Sequence, residues 1–287
     1  MAHRKNLTEQ IMRGVFFASA CVCIVAVIVI SAFLFVNGLP FFTKYSALSF
    51  LTGTRWKPGN NHFGILPMIV GSFYVTFGAV LLGAPVGILT AICMARFASP
   101  RVLKAVRPMV SLLAGIPSVV YGFFGLMLLV PFVRNTFGGD GTSALVASTL
   151  LAIMILPTII QTSEAALSAV PNSYYEGSLA LGATHEGSVF RVLVPAAKPG
   201  ILSGVVLGIG RAIGETTAVI MVAGNQAAMP AGPLEGVRTL TVNVLMEMGY
   251  AADLHYDSLI ATGVVLFVIV MSINFLFSFI NRRRVVQ

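Results

Sequence analysis

VFFASACVCIVAVIVISAFLFV, Val15–Val36, runs for 22 residues without a single charge. A helix rises 1.5 Å per residue, so this stretch reaches about 33 Å, enough to cross a hydrocarbon core roughly 30 Å thick. His3, Arg4, Lys5 and Arg13 precede it, like the charged start of a secretory signal. The apolar run is longer than the roughly 7–15 residues of a signal's apolar core, which predicts an uncleaved first span.

Further runs of the same kind follow. Phe63–Ala95 holds 33 uncharged residues, too many for one crossing at ordinary tilt. Pro67 and Gly71 therefore predict a short interfacial approach, followed by a span over 71–95. Spans are expected next at 108–133, 142–163, 201–223 and 258–280. The fold class is all-α: a polytopic membrane protein with six transmembrane helices. Residues 15–281 form the transmembrane domain, between a segment 1–14 and a tail 282–287, with a polar loop at 164–199. No internal repeat, low-complexity tract or separate soluble domain interrupts it.

Composition agrees. Hydrophobic residues make up 57% of the chain and charged residues only 10%, with a mean hydropathy of +0.91. A soluble domain carries about 25% charged residues, so a soluble enzyme is excluded and lipid is the main solvent. The net charge of +8 does not point to nucleic acid, because no basic run is interleaved with aromatics. It reads as the Lys/Arg bias of cytoplasmic loops. Twelve Lys and Arg fall on one set of segments, including both termini, and five on the alternate loops; Arg211 lies inside a span. Both termini are therefore expected in the cytoplasm. Cys21, Cys23 and Cys93 lie in apolar stretches without metal-ligand spacing; they read as small hydrophobes, and no metal is expected.

Loop 164–199 leaves the membrane without the composition of a disordered segment. Pro171 suits the first turn of a helix that carries Tyr174, Tyr175, Ser178 and Leu179 and ends at Gly182 in a left-handed conformation. Thr184 can cap a second short helix with an apolar stripe of Val189, Phe190 and Leu193, closed by Pro195 and Pro199. Two readings stand: amphipathic helices lying on the lipid surface, or a helix that docks into the groove of a cytoplasmic partner. Glu176-Gly177-Ser178, three residues, Gly182, nine residues, then Val192-Leu193-Val194-Pro195 resembles the EAA loop of ABC importer permeases. Gly177 and Ser178 stand where that loop has two alanines. The resemblance implies a type I ABC importer permease fold. It also implies that Glu176, Gly182, Val192, Val194 and Pro195 belong to coupling helices seated on an ATP-hydrolysing subunit.

An ionisable residue at membrane depth is costly, about 2.5–3.5 kcal/mol for a mid-bilayer Arg on insertion scales, and needs a local reason. Arg211 and Glu215 lie four residues apart, so in a continuous helix they share a face and can pair. Gly204, Gly208, Gly210 and Gly214 supply small-residue faces for close helix approach. The pair reads either as a packing device or as a pathway site. In the second reading Arg211 offers its planar fork to an oxyanion, Glu215 holds or releases it, and Thr217 adds a hydrogen-bonding neighbour.

GIGRAIGETT, residues 208–217, resembles the fifth-span motif of permeases of the phosphate-specific (Pst) ABC importer, as does GIPSVVYG, residues 115–122, in the third span. Trp56-Lys57-Pro58 and Phe63-Gly64 in a long first outer loop look like the C-type permease rather than its A-type partner. The resemblance implies half of a heterodimeric pore for phosphate ion, with Arg211 and Glu215 acting on the substrate. Its implied partners are an A-type permease, an ATPase dimer, an extracytoplasmic phosphate-binding protein and membrane lipid. The chain carries no Gly-x-x-x-x-Gly-Lys-Ser/Thr loop, so ATP is expected on the partner subunit and no cofactor on this one. Three other readings compete: an importer of another oxyanion, an ion-driven secondary transporter, which should show inverted repeats and broken helices that the sequence does not display, and a membrane anchor or assembly protein.

Overall fold

A computed structural model describes residues 2–285; Met1, Val286 and Gln287, parts of the expected terminal segments, lie outside the described residues. The chain forms α1 (Ala2–Gly38), α2 (Phe41–Lys44), α3 (Ala47–Thr52), a hairpin of β1 (Trp56–Lys57) and β2 (His62–Phe63), and α4 (Leu66–Ile92). It continues through α5 (Pro100–Gly115), α6 (Ser118–Phe124), α7 (Val130–Phe137), α8 (Ala144–Ser168), α9 (Asn172–Ala180) and α10 (His185–Ser188). Then come α11 (Val194–Gly214), α12 (Thr217–Val222), α13 (Leu240–Glu247) and α14 (Asp253–Val285). Among the described residues, six helical stretches are long and apolar enough to cross a membrane: 11–44, 66–97, 118–137, 144–168, 185–214 and 253–279.

Several boundaries differ from expectation, each for a local reason. The second span has no separate interfacial approach. Pro67 sits in the first turn of α4, where its missing N–H breaks no bond, and the helix runs on through a π turn at Cys93–Phe97. Gly71 is a packing point instead, since a Cβ there would lie 2.6 Å from the Arg238 carbonyl oxygen. The third span starts at Ser118 rather than at 108, because 100–115 is its own helix, ended by the extended Ile116 and Pro117. A residue before proline is pushed out of the helical region. Pro195 and Pro199 do not close the loop's second helix. A π turn at Val189–Leu193 joins α10 to α11, Pro195 falls in the first turn of α11, and Pro199 lies inside it.

The core is built around α8, the most buried span. Its Ile155 and Ile159 are fully buried, wedged between glycine faces of two neighbours. A Cβ on Gly87 of α4 would lie 2.9 Å from Ile159 Cγ2, and one on Gly208 of α11 3.2 Å from Ile159 Cγ1. Gly204 likewise meets Thr162 and Ser163, whereas Gly210 and Gly214 face open space. Half of the expected small-residue face therefore packs within the chain. Gly87→Leu is expected to overpack this seam by about 1–3 kcal/mol, lowering the melting temperature of the purified protein. Gly14→Leu, at a site with nothing within 4 Å, should leave it unchanged.

The end of the bundle opposite loop 164–199 carries a second core. Phe41, Phe50, Trp56, Phe63, Ile65, Met68, Leu240 and Leu259 are buried together there, with Phe41 and Phe50 ring centroids 5.0 Å apart. This hairpin end caps α1, α4 and α14. The outward faces of α1 and α4 stay apolar and exposed, as at Phe17 and Phe77, a surface suited to lipid.

Candidate functional site

The fifth span is broken where its charges lie. α11 stops at Gly214, Glu215 is extended at φ −72° and ψ 124°, and α12 restarts at Thr217. The expected ion pair is not formed: among the described residues no salt bridge joins Arg211 to Glu215. An i, i+4 pair needs an unbroken helix, and this one ends between the partners. The Glu215 side chain instead accepts a hydrogen bond at 3.0 Å from the Ala218 N–H, capping α12. Arg211 Nη1 reaches Thr158 Oγ1 of α8 at 3.4 Å. Among the described residues, the other N–H groups of Arg211 and the second carboxylate oxygen of Glu215 make no hydrogen bond, and none of these atoms is a buried orphan. Thr217 is exposed and donates to neither charge.

The third span breaks beside it. Pro117 has no N–H to give the Leu113 carbonyl, which accepts instead from the Ile116 N–H at 3.4 Å and from the Tyr121 hydroxyl at 2.8 Å, the latter stapling α5 to α6 across the break. α6 lies directly on α12, so that a Cβ on Gly122 would sit 3.0 Å from Ala218 Cα. The two signature stretches, GIPSVVYG and GIGRAIGETT, are thus two helix breaks in adjacent elements. Broken helices do not set this chain apart from secondary transporters, contrary to expectation. Irregular backbone at membrane depth is tolerated wherever it lies against protein or lines a cavity, in either class.

Loop 164–199 folds much as its sequence implies. Pro171 stands just before α9 rather than in its first turn. Gly182 adopts φ +87°, and its N–H donates to the Leu179 carbonyl at 2.9 Å. Thr184 caps α10, accepting from the Gly187 N–H at 3.1 Å. Two side-chain contacts hold the short helices together: Tyr175 Oη to His185 Nδ1 at 2.8 Å and Ser178 Oγ to Ser188 Oγ at 2.5 Å. Ser178, expected on the first loop helix and at a position where the resembled motif has alanine, thus locks the loop. Val189 and Leu193 are buried against Leu167 and Ile201, while Phe190, the third member of the expected stripe, is half exposed. Val192 and Val194 are partly buried, and Glu176 and Pro195 are exposed. Asn172 Nδ2 donates to Glu176 at 3.1 Å. No residue of α9 is buried, and Tyr174 and Leu181 point outward, Leu181 at 91% exposure.

A third cluster, at the hairpin end, escapes sequence reasoning. Glu247 is buried, and three donors converge on its carboxylate: Trp56 Nε1 at 2.8 Å, Arg238 Nη1 at 2.7 Å and His255 Nε2 at 2.9 Å. Arg238 also donates from Nη1 to Asn243 Oδ1 at 3.1 Å and from Nε to the Asn225 carbonyl at 2.9 Å. Trp56 and Glu247 are 191 positions apart, so no local pattern announces their contact. Arg238 reads in sequence only as one loop cation among five.

The described residues thus form an apolar helix bundle with two adjacent breaks, a cation beside them without a salt bridge to a carboxylate, and a folded loop at one end. Comparison with known proteins agrees. A probable ABC transporter permease protein, YqgH, of Bacillus subtilis (strain 168) is 40% identical over 293 residues, covering 99% of this chain and 95% of the relative. The phosphate transport system permease protein PstC of Mesorhizobium japonicum is 32% identical over 287 residues, covering 93% and 88%. A solved chain of a bacterial ABC transporter involved in the import of the acidic polysaccharide alginate superposes with a TM-score of 0.67 at 18% identity, covering 97% of this chain and 99% of that one; it shares the fold. The family of binding-protein-dependent transport system inner membrane components matches residues 83–286, and with relatives of this identity and coverage the chain belongs to that family, as a multi-pass membrane permease subunit of an ABC importer.

Proposed function

We propose that this subunit is the C-type permease of an ATP-driven importer of inorganic phosphate, paired in the membrane with an A-type permease. Arg211 carries the reading. It is a guanidinium inside the fifth span with no carboxylate partner, set beside two helix breaks, and it offers free N–H groups to an oxyanion. The name of the Mesorhizobium relative supports phosphate over other oxyanions. The Lys/Arg distribution supports cytoplasmic termini, with loop 164–199 on the cytoplasmic side and the hairpin end facing outward, where a phosphate-binding protein would deliver its cargo. An ATPase dimer binds below and hydrolyses ATP, and its closure switches the pathway between outward and inward access. Glu176, Gly182, Val192, Val194 and Pro195 belong to the loop that seats on one ATPase protomer. Arg211, Glu215 and Thr217 line the pathway, where phosphate binds weakly enough to leave.

The test is ATP-dependent uptake of labelled phosphate in cells lacking their own importer, with the partner subunits supplied. Uptake displaced equally by unlabelled molybdate or sulfate would assign a different oxyanion. Uptake that persisted without the ATPase would assign a secondary transporter, and absence of any uptake an anchoring role. The loop is tested separately. Gly182→Val places a β-branched residue at φ +87°, a strain of about 1–3 kcal/mol. Because a Cβ there meets nothing within 4 Å, the strain falls on the loop alone. ATPase recovered by co-purification should fall sharply while the amount of membrane-inserted chain is unchanged.

A further inference from the structure

The separation of Arg211 from Glu215 has a chemical meaning beyond anion attraction. A guanidinium alone attracts any oxyanion. A carboxylate nearby repels them all, unless the anion still carries a proton. Glu215 keeps one oxygen on the Ala218 N–H at 3.0 Å, while its other oxygen has no hydrogen-bond partner among the described residues and is not a buried orphan. Arg211 is anchored by a single 3.4 Å contact to Thr158. Neither charge neutralises the other. The break therefore holds a strong donor and a strong acceptor on one stretch of chain, each with one hydrogen bond and spare capacity among the described residues. A carboxylate accepts hydrogen bonds and cannot give them. The ligand that satisfies both groups accepts from Arg211 and donates an O–H to Glu215.

We propose, building on the phosphate reading above, that Glu215 is the specificity-determining residue of the pathway. It accepts the hydroxyl proton of monohydrogen or dihydrogen phosphate, and it turns away oxyanions that are fully ionised, such as sulfate. Sulfate has oxygens for Arg211 but nothing to offer Glu215, and would bring its charge against an unrelieved carboxylate. A site built to hydrogen-bond a ligand's O–H rejects the analogue lacking it by up to roughly 10⁴–10⁵-fold, because its own polar group is left unpaired. The pathway thus makes a selection of its own inside the membrane, one that does not depend on whatever protein delivers the ion.

Glu215→Gln separates this role from capping. The Gln carbonyl oxygen can still accept from the Ala218 N–H, so the break and α12 are kept, while the free oxygen becomes an NH₂ donor. The experiment uses the complete transporter, with its partner permease and ATPase, in proteoliposomes. Labelled phosphate import is measured with unlabelled phosphate or sulfate added on the side bearing loop 164–199, where no binding protein selects. In the wild type, phosphate is expected to inhibit at concentrations at least about tenfold lower than sulfate. In Glu215→Gln, phosphate import should fall by about tenfold or more and sulfate should become an effective inhibitor; Glu215→Asp, which retains an acceptor, should recover part of the discrimination. Equal inhibition of the wild type by the two ions overturns the proposal, as does an unchanged preference in Glu215→Gln. Should Glu215→Gln fail to assemble, Glu215→Asp decides: its shorter side chain is expected to narrow the preference for phosphate over sulfate, and a preference equal to that of the wild type overturns the proposal. A wild type that imports another oxyanion but no phosphate would instead overturn the phosphate reading.

Discussion

Arg211→Ala is expected to abolish phosphate uptake, by about a hundredfold or more, while leaving the subunit as stable as the wild type. The functional loss follows from charge-assisted hydrogen bonds, worth about 1.5–3 kcal/mol each; losing one or two of them in the transported state corresponds to roughly ten- to ten-thousandfold in rate. The neutral effect on stability is the informative half. Had Arg211 been ion-paired with Glu215, alanine would strand a carboxylate and cost about 3–5 kcal/mol. The structure contains no such pair, and the one partner Arg211 loses is the Thr158 hydroxyl at 3.4 Å. Removing an unpaired cation from membrane depth even relieves an insertion cost of about 2.5–3.5 kcal/mol. Labelled-phosphate uptake and thermal unfolding of the purified transporter, measured on the same variant, check both halves. A large drop in melting temperature with uptake lost only in proportion would make Arg211 a packing residue. Arg211→Lys keeps the charge but not the planar fork, and is expected to recover only a small part of the rate.

That prediction turns on a point the sequence pattern conceals. The spans are legible because lipid leaves an unmistakable trace: Val15–Val36 has no charge, and no soluble helix would tolerate it. Loop 164–199 is legible because turn chemistry is local, and Gly182 and Thr184 do in the structure what their residue types dictate. Both helix breaks had signals too. Pro117 disfavours helix at Ile116, and Gly214 is a residue that often marks a helix end. Within a long apolar run those signals yield to hydropathy, which counts residues and cannot see a kink. The assumption of a continuous fifth span then made Arg211 and Glu215 look like partners. Four residues apart is a statement about a helix, and it fails when the helix stops. The hairpin-end cluster was illegible for another reason. Glu247 finds Trp56, Arg238 and His255 through tertiary folding alone, from separate elements, and single-sequence periodicity carries no information about such meetings.

Glu247→Ala is expected to cause the largest loss of stability of any single change discussed, about 3–5 kcal/mol. The carboxylate is 8% exposed and the Arg238 side chain 15%; removing the anion leaves a largely desolvated guanidinium, the Trp56 N–H and an imidazole without their shared acceptor. The desolvation cost of the cluster is incurred whether or not the acceptor is there, which is why deleting one partner costs more than deleting both. Glu247→Gln keeps the shape and one acceptor oxygen, and should cost less. Arg238→Met combined with Glu247→Leu should be closer to the wild type than Glu247→Ala is, and the double-mutant cycle gives the coupling directly. Trp56 is the only tryptophan in the chain and is 7% exposed, so the fluorescence of the purified subunit reports this contact and no other. A red shift of its emission in Glu247→Ala, together with early thermal unfolding, is the expected result. Wild-type emission and melting would mean that the four groups are neighbours without being mutually dependent. Because α13 runs from Leu240 to Glu247, with the Thr241 hydroxyl in its first turn donating to the Glu215 carbonyl at 3.4 Å, loss of the anchor at its other end should also loosen the helix that leads to the break. The uptake defect of Glu247→Ala should therefore exceed what the fall in folded protein alone accounts for.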